Sequence, residues 1–189
     1  MRIISGTLKG RRLVTPKGLS LRPTSDRVKE SMFNILGNEV NGKVILDLFA
    51  GTGNLGIEAL SRGAKRVTFV EKDRVAIRLI HKNLITCKME DRSEVLVNDV
   101  NQAIEILRGK GVRFDLIFID PPYEKGLIQK TIERVCLERI YHDDSILVIE
   151  HHRRESLADI SGPWSVIRQR RIGETVLSFL TPKPLSTSL

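Results

Sequence analysis

Short apolar runs alternate with amphipathic stretches along most of the chain, from residue 43 onward. The apolar runs are rich in β-branched and aromatic side chains, which is typical of buried strands. Strands are predicted over 44–49, 67–71, 95–99, 114–119, 146–150, 165–170 and 175–180, and helices over 57–62, 73–86, 100–108 and 127–138. This alternation predicts an α/β fold with a mostly parallel seven-stranded sheet and helices on both faces. The last two strands break the alternation, so one of them is expected to lie antiparallel.

The first 42 residues follow a different pattern. Residues 2–6 and 11–15 alternate weakly around a turn at 7–10, which predicts a short β-hairpin with its charges outward. A turn-rich linker over 16–24 follows, and Thr24 or Ser25 is expected to cap the next helix. The predicted domains are therefore a hairpin extension (1–20), a main domain (21–182) and a flexible tail (183–189).

Composition places the chain among ordinary globular proteins. It has 189 residues, of which 41% are hydrophobic and 29% are charged, enough for one domain with its own core. No apolar run is long enough for a membrane span, and the N-terminus lacks the apolar core of a signal peptide. The two cysteines lie far apart and suit no metal motif. We therefore expect a cytoplasmic protein, monomeric, with reduced thiols and no metal site.

Positive charge is concentrated at the N-terminal end. The formal net charge is +8, and the first 30 residues carry eight lysines and arginines against two acidic residues. A basic end on a nearly neutral body is typical of a protein with a polyanionic partner. The alternative is a solvated basic surface without a partner.

A glycine-rich turn follows the first predicted strand of the sheet. The segment 51–56, Gly-Thr-Gly-Asn-Leu-Gly, matches the pattern G-x-G-x-x-G between a strand and a helix. Glu71 ends the next strand, where a carboxylate can accept hydrogen bonds from ribose hydroxyls. The pattern predicts a nucleotide-type ligand and leaves a dinucleotide and S-adenosylmethionine both open. A glycine turn with a purely structural role is the alternative.

Three further strand ends carry acidic residues. Asp47 precedes the glycine turn and suits an ammonium group better than a pyrophosphate, which it would repel. Asp99 ends the third strand, where it could accept from an adenine amino group. The segment 120–123, Asp-Pro-Pro-Tyr, ends the fourth, because proline cannot continue a ladder. Each acid alone could be an ordinary polar residue at a strand end. Together they favour a cationic, adenosine-bearing ligand beside a planar amine substrate.

The two motifs at 47–53, Asp-Leu-Phe-Ala-Gly-Thr-Gly, and 120–123 resemble those of class I S-adenosylmethionine-dependent methyltransferases that act on exocyclic amines. The segments 1–6, 21–36 and 53–64 extend the match, and nearly the whole chain is similar to the bacterial RsmD family. Members of that family methylate the N2 amine of one guanine in 16S ribosomal RNA. The resemblance therefore implies a Rossmann-like class I methyltransferase fold.

The same resemblance implies roles for individual residues. The cofactor would be S-adenosyl-L-methionine, with S-adenosyl-L-homocysteine (SAH) as its product. Its binding residues would be Asp47, Phe49, Ala50, Gly51, Thr52, Gly53, Glu71, Lys72, Asp99, Val100, Asp120 and Thr24. The catalytic residues would be Asp120, Pro121, Pro122 and Tyr123. The partner would be 16S rRNA, within an assembled small-subunit particle, held by Arg2, Lys9, Arg11, Arg12, Arg22 and Arg27.

Four functions stay open on these grounds. An rRNA guanine-N2 methyltransferase, or another rRNA amine methyltransferase, agrees with all the motifs. A DNA adenine-N6 methyltransferase is disfavoured, because the chain leaves no room for a separate sequence-reading domain. A dinucleotide oxidoreductase is disfavoured by Asp47 and by the lack of a hydride-handling group. A non-catalytic RNA-binding module would not need Asp120 and Glu71 together.

Overall fold

The structure, a computed structural model, describes residues 1–15, 25–122, 126–155, 157 and 163–183. The helices are α1 (Asp26–Leu36), α2 (Asn54–Ser61), α3 (Arg74–Cys87), α4 (Val100–Gly109) and α5 (Leu127–Glu138). The strands are β1 (Val44–Asp47), β2 (Arg66–Glu71), β3 (Ser93–Val97), β4 (Phe114–Ile119), β5 (Tyr141–His152), β6 (Trp164–Ile172) and β7 (Thr175–Pro182). Short 3-10 helices follow α1 and precede β3. None of the helices in these ranges is both long and apolar enough to cross a membrane.

All seven strands form one sheet in the order β3-β2-β1-β4-β5-β7-β6. The first five pair in parallel, and β7 pairs antiparallel with both β5 and β6. The predicted mixed sheet is thereby confirmed. The chain builds outward from β1 in one direction and from β4 in the other, so the crevice between these two strands is a topological switch point. Ligands of open α/β sheets bind outside the carboxyl ends of the strands at such a point.

Side chains alternate between two core layers, one on each face of the sheet. In β4, Leu116 and Phe118 belong to the layer under α1, α2 and α3, whereas Ile117 and Ile119 belong to the layer under α4 and α5. Because both faces are covered, β4 is apolar at nearly every position instead of alternating with polar residues. This explains why the sequence reads there as one continuous apolar run.

The N-terminal segment forms the predicted hairpin, with a single antiparallel bridge between Arg2 and Arg12. The Ile3 N–H donates to the Arg11 carbonyl at 2.9 Å. Ile3 and Leu13 are buried in the core layer that contains α1, so the hairpin is packed against the sheet domain. The division into domains at residues 20 and 182 stays a prediction, and residues 16–24 and 184–189 lie outside the described ranges.

Capping residues set the start of three helices. Ser25 caps α1 by accepting from the Val28 N–H at 3.2 Å, while the alternative cap Thr24 lies outside the described residues. Asp73 caps α3, as predicted. Asp99 caps α4, so β3 ends at Val97, two residues before the predicted end of that strand. A carboxylate that accepts the orphan N–H groups of a first helical turn begins a helix rather than continuing a strand.

Candidate functional site

The carboxyl ends of β1, β2 and β4 meet at one edge of the sheet and carry the predicted acidic residues. After β1 ends at Asp47, the Leu48 N–H donates to the Phe118 carbonyl of β4 at 3.1 Å. Two residues later, the Ala50 N–H donates to the Val70 carbonyl of β2 at 3.0 Å. The loop after β1 is thus fixed to both neighbouring strands. It forms the floor of the crevice at the switch point.

Each of the three glycines in the turn is explained by a different structural feature. Gly51 has φ +53°, and a Cβ on it would meet no described atom within 4 Å, so its backbone faces open space. Gly53 has φ +81° and is the N-terminal cap of α2. The close approach of α2 to the sheet requires a glycine at position 56, because a Cβ there would lie 2.2 Å from Cε1 of Phe69. The turn therefore presents bare backbone and a helix N-terminus to the crevice.

Asp47 is a buried carboxylate with one oxygen left over. Its side chain is only 1% exposed, and Oδ2 accepts from the Gly56 N–H at 3.1 Å. Oδ1 is buried and has no hydrogen-bond partner in the described part of the chain. Burial, with the nearby charges of Asp120 and Glu71, raises the pKa of Asp47 to about 7, although the Gly56 N–H opposes this shift. Such a group is suited to a cationic donor, since a cation would satisfy Oδ1 and favour its charged form.

Glu71 accepts hydrogen bonds from two loops, the glycine turn after β1 and the loop after β2. Its Oε2 accepts from the Gly51 N–H at 2.8 Å, and its Oε1 accepts from the Lys72 and Asp73 N–H groups at 2.8 and 2.9 Å. Oε1 is thus engaged by the start of the next loop, whereas Oε2 faces the glycine turn. Lys72 supplies a backbone donor here, and its predicted place at the cofactor stays a prediction.

Asp99 and Val100 lie at the next strand end along the edge, at the start of α4. Asp99 Oδ1 accepts from the Asn101 and Gln102 N–H groups at 2.9 and 3.1 Å. These two hydrogen bonds engage only one oxygen of the carboxylate. Contact with an adenine amino group stays a prediction for Asp99.

The Asp-Pro-Pro segment leaves β4 directly beside this floor. Asp120 is half-buried, Pro121 is buried and Pro122 is exposed, while Tyr123 lies outside the described residues. Asp47 of β1 pairs with Phe118 of β4, two residues before Asp120, and the charge of Asp120 contributes to the raised pKa of Asp47. The ends of β1 and β4 thus bring one acid from each side of the switch point together.

The remaining predicted cofactor residues lie in the floor itself. Ala50 and Thr52 are buried, and Phe49 is partly buried against the layer under α4 and α5. The Thr52 carbonyl accepts from the Asn83 amide of α3 at 3.1 Å. That same amide side chain pairs with the backbone of Val14, so α3 links the turn to the hairpin.

A buried polar network behind the glycine turn was not predicted. Lys29 of α1 donates to Asn54 Oδ1 and to the Arg2 carbonyl, both at 2.7 Å, and its Nζ lies 3.2 Å from Glu58 Oε2. Burial lowers the pKa of Lys29, and the Glu58 carboxylate opposes this shift. Asn54 begins α2 directly after Gly53. The available signals were a lysine at a core-facing position of α1 and a glutamate inside the apolar run of α2.

The predicted RNA-binding residues that the structure describes lie at the hairpin and at the start of α1: Arg2, Lys9, Arg11, Arg12 and Arg27. All five are exposed. Arg11 donates to the Thr86 carbonyl, and Arg2 lies 3.7 Å from Asp26. Arg22 lies outside the described residues. Contact with RNA stays a prediction for all of them.

Comparison with known proteins gives one family. A family model described as conserved hypothetical protein 95 matches residues 1–181. The chain is 36% identical over 174 residues to the ribosomal RNA small subunit methyltransferase D of Escherichia coli K12, which covers 92% of this chain and 86% of that protein.

Solved structures agree on the fold. One from Escherichia coli, provisionally described as the methyltransferase yhhF, superposes with a TM-score of 0.85 and 31% identity, and covers 97% of this chain and 98% of that one. A more distant one, complexed with SAH, has a TM-score of 0.66 and 16% identity, over 78% of this chain and 48% of that chain. The sheet and its helices therefore form the class I methyltransferase fold.

Proposed function

The chain belongs to the RsmD family, and from that premise we propose that it transfers a methyl group from S-adenosylmethionine to the N2 amine of a guanine in 16S rRNA, of the position-966 type. The observation that carries the proposal is the meeting of Asp47 and Asp120 across the switch point. One acid suits a cationic cofactor, and the other, followed by two prolines, suits an amine.

The residues present fit S-adenosylmethionine. Oδ1 of Asp47, which is buried and has no hydrogen-bond partner among the residues that the structure describes, suits the ammonium of the methionine moiety. The open space at Gly51 and the bare backbone of the turn admit a ligand at close range. Glu71 Oε2 suits a ribose hydroxyl, and Asp99 suits the adenine amino group. The SAH-bound relative of the same fold also supports this cofactor. When bound, S-adenosylmethionine supplies an electrophilic methyl group on a positively charged sulfur.

The Asp-Pro-Pro-Tyr segment would bind and orient the target amine. The lone pair of a guanine N2 amine is delocalised into the ring, so the amine is a poor nucleophile. Two N–H···O bonds, to the Asp120 carboxylate and the Pro121 carbonyl, localise the lone pair and aim it. Tyr123 would stack on the base and hold its plane. Positioning and electrostatics therefore provide most of the rate enhancement, and the Asp120 carboxylate can accept the proton that the amine loses.

The proposed RNA partner is 16S rRNA in an assembled small-subunit particle, and the enzyme is proposed to act as a monomer in the cytoplasm. The name of the Escherichia coli relative supports a small-subunit substrate. The target base must leave its stack to reach the crevice, which costs about a few kcal/mol and is easiest in a loop. The exposed arginines of the hairpin would hold the RNA by its phosphates.

The test is methyl transfer from labelled S-adenosylmethionine to three substrates: small-subunit particles, naked 16S rRNA and DNA. We expect label in rRNA, located on a guanine N2 by nucleoside mass spectrometry. Label on adenine N6 of DNA would favour the DNA methyltransferase alternative. Label on another rRNA amine would correct the position and keep the substrate. The absence of label from all three substrates would refute the proposal.

Asp120→Ala is the catalytic variant for the same assay. We expect it to lower the rate of transfer by about 1,000-fold or more, because the amine loses its charged acceptor. Its affinity for S-adenosylmethionine, measured by calorimetry, should largely survive, because the main cofactor contacts are proposed for Asp47, Glu71 and Asp99, which the variant retains. Near-normal turnover in this variant would contradict the role assigned to Asp120.

A further inference from the structure

A second basic surface lies away from the hairpin, between α1 and the edge strand β6. It is a groove of about 410 Å³, lined among others by Arg27, Glu30, Asn34, Arg168, Arg170 and Arg171. We propose that this groove binds the phosphates of the RNA strand next to the target nucleotide and so positions the substrate. The proposal rests on the proposed function and deepens it, because it assigns a binding site to residues outside the crevice and the hairpin.

A β-bulge turns the arginines of β6 toward α1. Val166 pairs with Leu180, but Arg168 pairs with Phe179, so Ile167 is one extra residue on β6. Without this extra residue, alternation would place Ile167, rather than Arg168, opposite Phe179. Bulges are known to re-aim side chains in this way.

The cross-strand partners identify the face that these arginines occupy. Arg168 pairs with Phe179 and Arg170 with Leu177, and both partners belong to the core layer under α1. Cross-strand partners lie on the same face of a sheet. Arg168 and Arg170 therefore project on the α1 side and beyond the apolar core, where they form one wall of the groove. They are about 7 Å apart along the strand, which is comparable with the separation of neighbouring phosphates in an extended RNA strand.

The strand register connects the groove to the reaction site. Ile119 pairs with Ile149, Ile149 with Ser178, and Ser178 with Gln169. Asp120 directly follows Ile119 at one end of this row, and Arg170 directly follows Gln169 at the other end. The strand β6 runs parallel to β4, so Arg170 and Asp120 lie at the same edge of the sheet. Three interstrand spacings of about 4.8 Å separate them, a distance that an RNA strand spans in a few nucleotides.

The charge of the groove favours an anion. Arg27, Arg168 and Arg170 are exposed, and among the described residues no carboxylate forms an ion pair with any of them. Glu30 is the acidic residue in the lining, and Glu174 lies close enough to Arg171 to interact with its charge. An arginine fork matches the oxygens of a phosphate, whereas protection of an exposed strand edge alone would be served equally well by lysine.

The test compares two double variants that each remove two exposed arginines. Arg168→Ala with Arg170→Ala removes the wall of the groove. Arg66→Ala with Arg113→Ala is the matched control. Arg66 begins β2 and Arg113 directly precedes β4, so both lie at the amino ends of the parallel strands, opposite the edge that carries Asp120. Binding of small-subunit particles and of an in vitro 16S rRNA transcript is measured across a series of salt concentrations, and S-adenosylmethionine affinity is measured by calorimetry.

We expect about tenfold weaker RNA binding in the groove variant at moderate salt and normal cofactor affinity. The slope of log K against log salt should fall by roughly 0.7 for each phosphate that the variant no longer binds. The matched control should bind like the wild type. Arg168→Lys with Arg170→Lys should retain most of the slope, because it keeps the charge. An unchanged slope and affinity in the alanine variant, with intact cofactor binding, would refute the proposal that the groove binds RNA.

The binding assay needs no methyl transfer, so failures of the two proposals can be distinguished. If the wild type binds the transcript through the groove but methylates none of the three substrates, the proposed function fails and the groove stands. If the wild type methylates rRNA and the groove variant keeps the same KM and salt slope, the groove fails and the function stands. If the wild type binds neither the transcript nor the small-subunit particles, the groove is refuted.

Discussion

Two buried carboxylates lie on either side of the glycine-rich turn, and their surroundings differ in one decisive respect. Glu58 in α2 is fully buried and accepts from the Ile4 and Ser5 N–H groups at 2.8 and 3.0 Å. It is also paired with Lys29 at 3.2 Å and Arg62 at 2.8 Å. Asp47 is almost as deeply buried, but it accepts from the Gly56 N–H through Oδ2, and its Oδ1 has no donor among the described residues.

The difference separates an acid whose oxygens are satisfied by its own chain from one that has an acceptor left for the proposed cofactor. Glu58 is saturated by its own chain, so it fixes the hairpin to α1 and α2 and has no capacity for a ligand. Asp47 is left short of donors, which costs stability in the free protein and reserves an acceptor for a cation. Burial alone would not distinguish these acids; their remaining acceptor capacity does.

Removal of the Glu58 charge should have the largest effect in this comparison. Glu58→Gln leaves Lys29 buried without its counter-charge, so we expect a loss of about 3–5 kcal/mol in the free energy of unfolding. Denaturant titration measures it, and the cofactor affinity of the folded fraction should be unchanged. Adding Lys29→Met should recover part of the loss, because no charge is then left buried alone. Wild-type stability in Glu58→Gln would contradict the structural role of this acid.

Asp47→Asn should have the opposite consequences. We expect S-adenosylmethionine affinity to fall about 100-fold, since the ammonium loses a buried charged partner. Above the pKa of Asp47, the free protein should be at least as stable as the wild type, because a buried charge has been removed. Calorimetry and denaturant titration measure the two quantities. A destabilised variant with normal cofactor affinity would show that Asp47, like Glu58, has a structural role.

The pH dependence of cofactor binding should report the raised pKa of Asp47, which is about 7. Below that pH the carboxyl holds a proton that a cation must displace. Affinity should therefore fall by up to about tenfold per pH unit below 7 and level off above it. Asp47→Asn, measured over the same pH range, should remove this component.

The same shift fixes the sign of a stability effect. The carboxyl of Asp47 loses its proton near 3.8 when unfolded and near 7 when folded, so the folded state binds more protons between these values. Its contribution to stability therefore decreases as pH rises through this window. A wild type whose stability rises relative to Asp47→Asn over the same window would contradict the assigned pKa.

The smallest effect is expected at the hairpin that Glu58 holds in place. Arg11→Glu with Arg12→Glu should weaken rRNA binding severalfold at moderate salt and lower the salt slope, because two charges that are proposed to bind phosphates are reversed. Cofactor affinity should not change, since the hydrogen bonds that the Ile4 and Ser5 N–H groups donate to Glu58 remain. Reversal of Arg66 and Arg113 provides the comparison variant. Equal RNA affinity in the hairpin variant and the wild type would leave the hairpin a purely structural element.

Local sequence predicted the parts of the molecule that local chemistry determines. The seven strands, the five helices and the glycine turn were predictable, because periodicity and glycine placement have local causes. Asp47 was predictable as a strand-end acid, but its unsatisfied oxygen depends on how α2 approaches β2. Arg62 is only four residues from Glu58, but the other partners of Glu58 come from the hairpin and α1, which are distant in sequence. The bulge at Ile167 was not predictable either, because it is a property of the pairing between β6 and β7.

The place of β7 between β5 and β6 has a consequence for the order in which the protein can assemble. The strand β6 is made before β7 but reaches the sheet only through it. One wall of the groove, α1, belongs to the earliest part of the chain to be synthesised, and the other belongs to the last. A growing chain that has reached Pro122 already contains Asp47, Glu71 and Asp120 but has no second wall. The groove is therefore completed only after synthesis has passed β7.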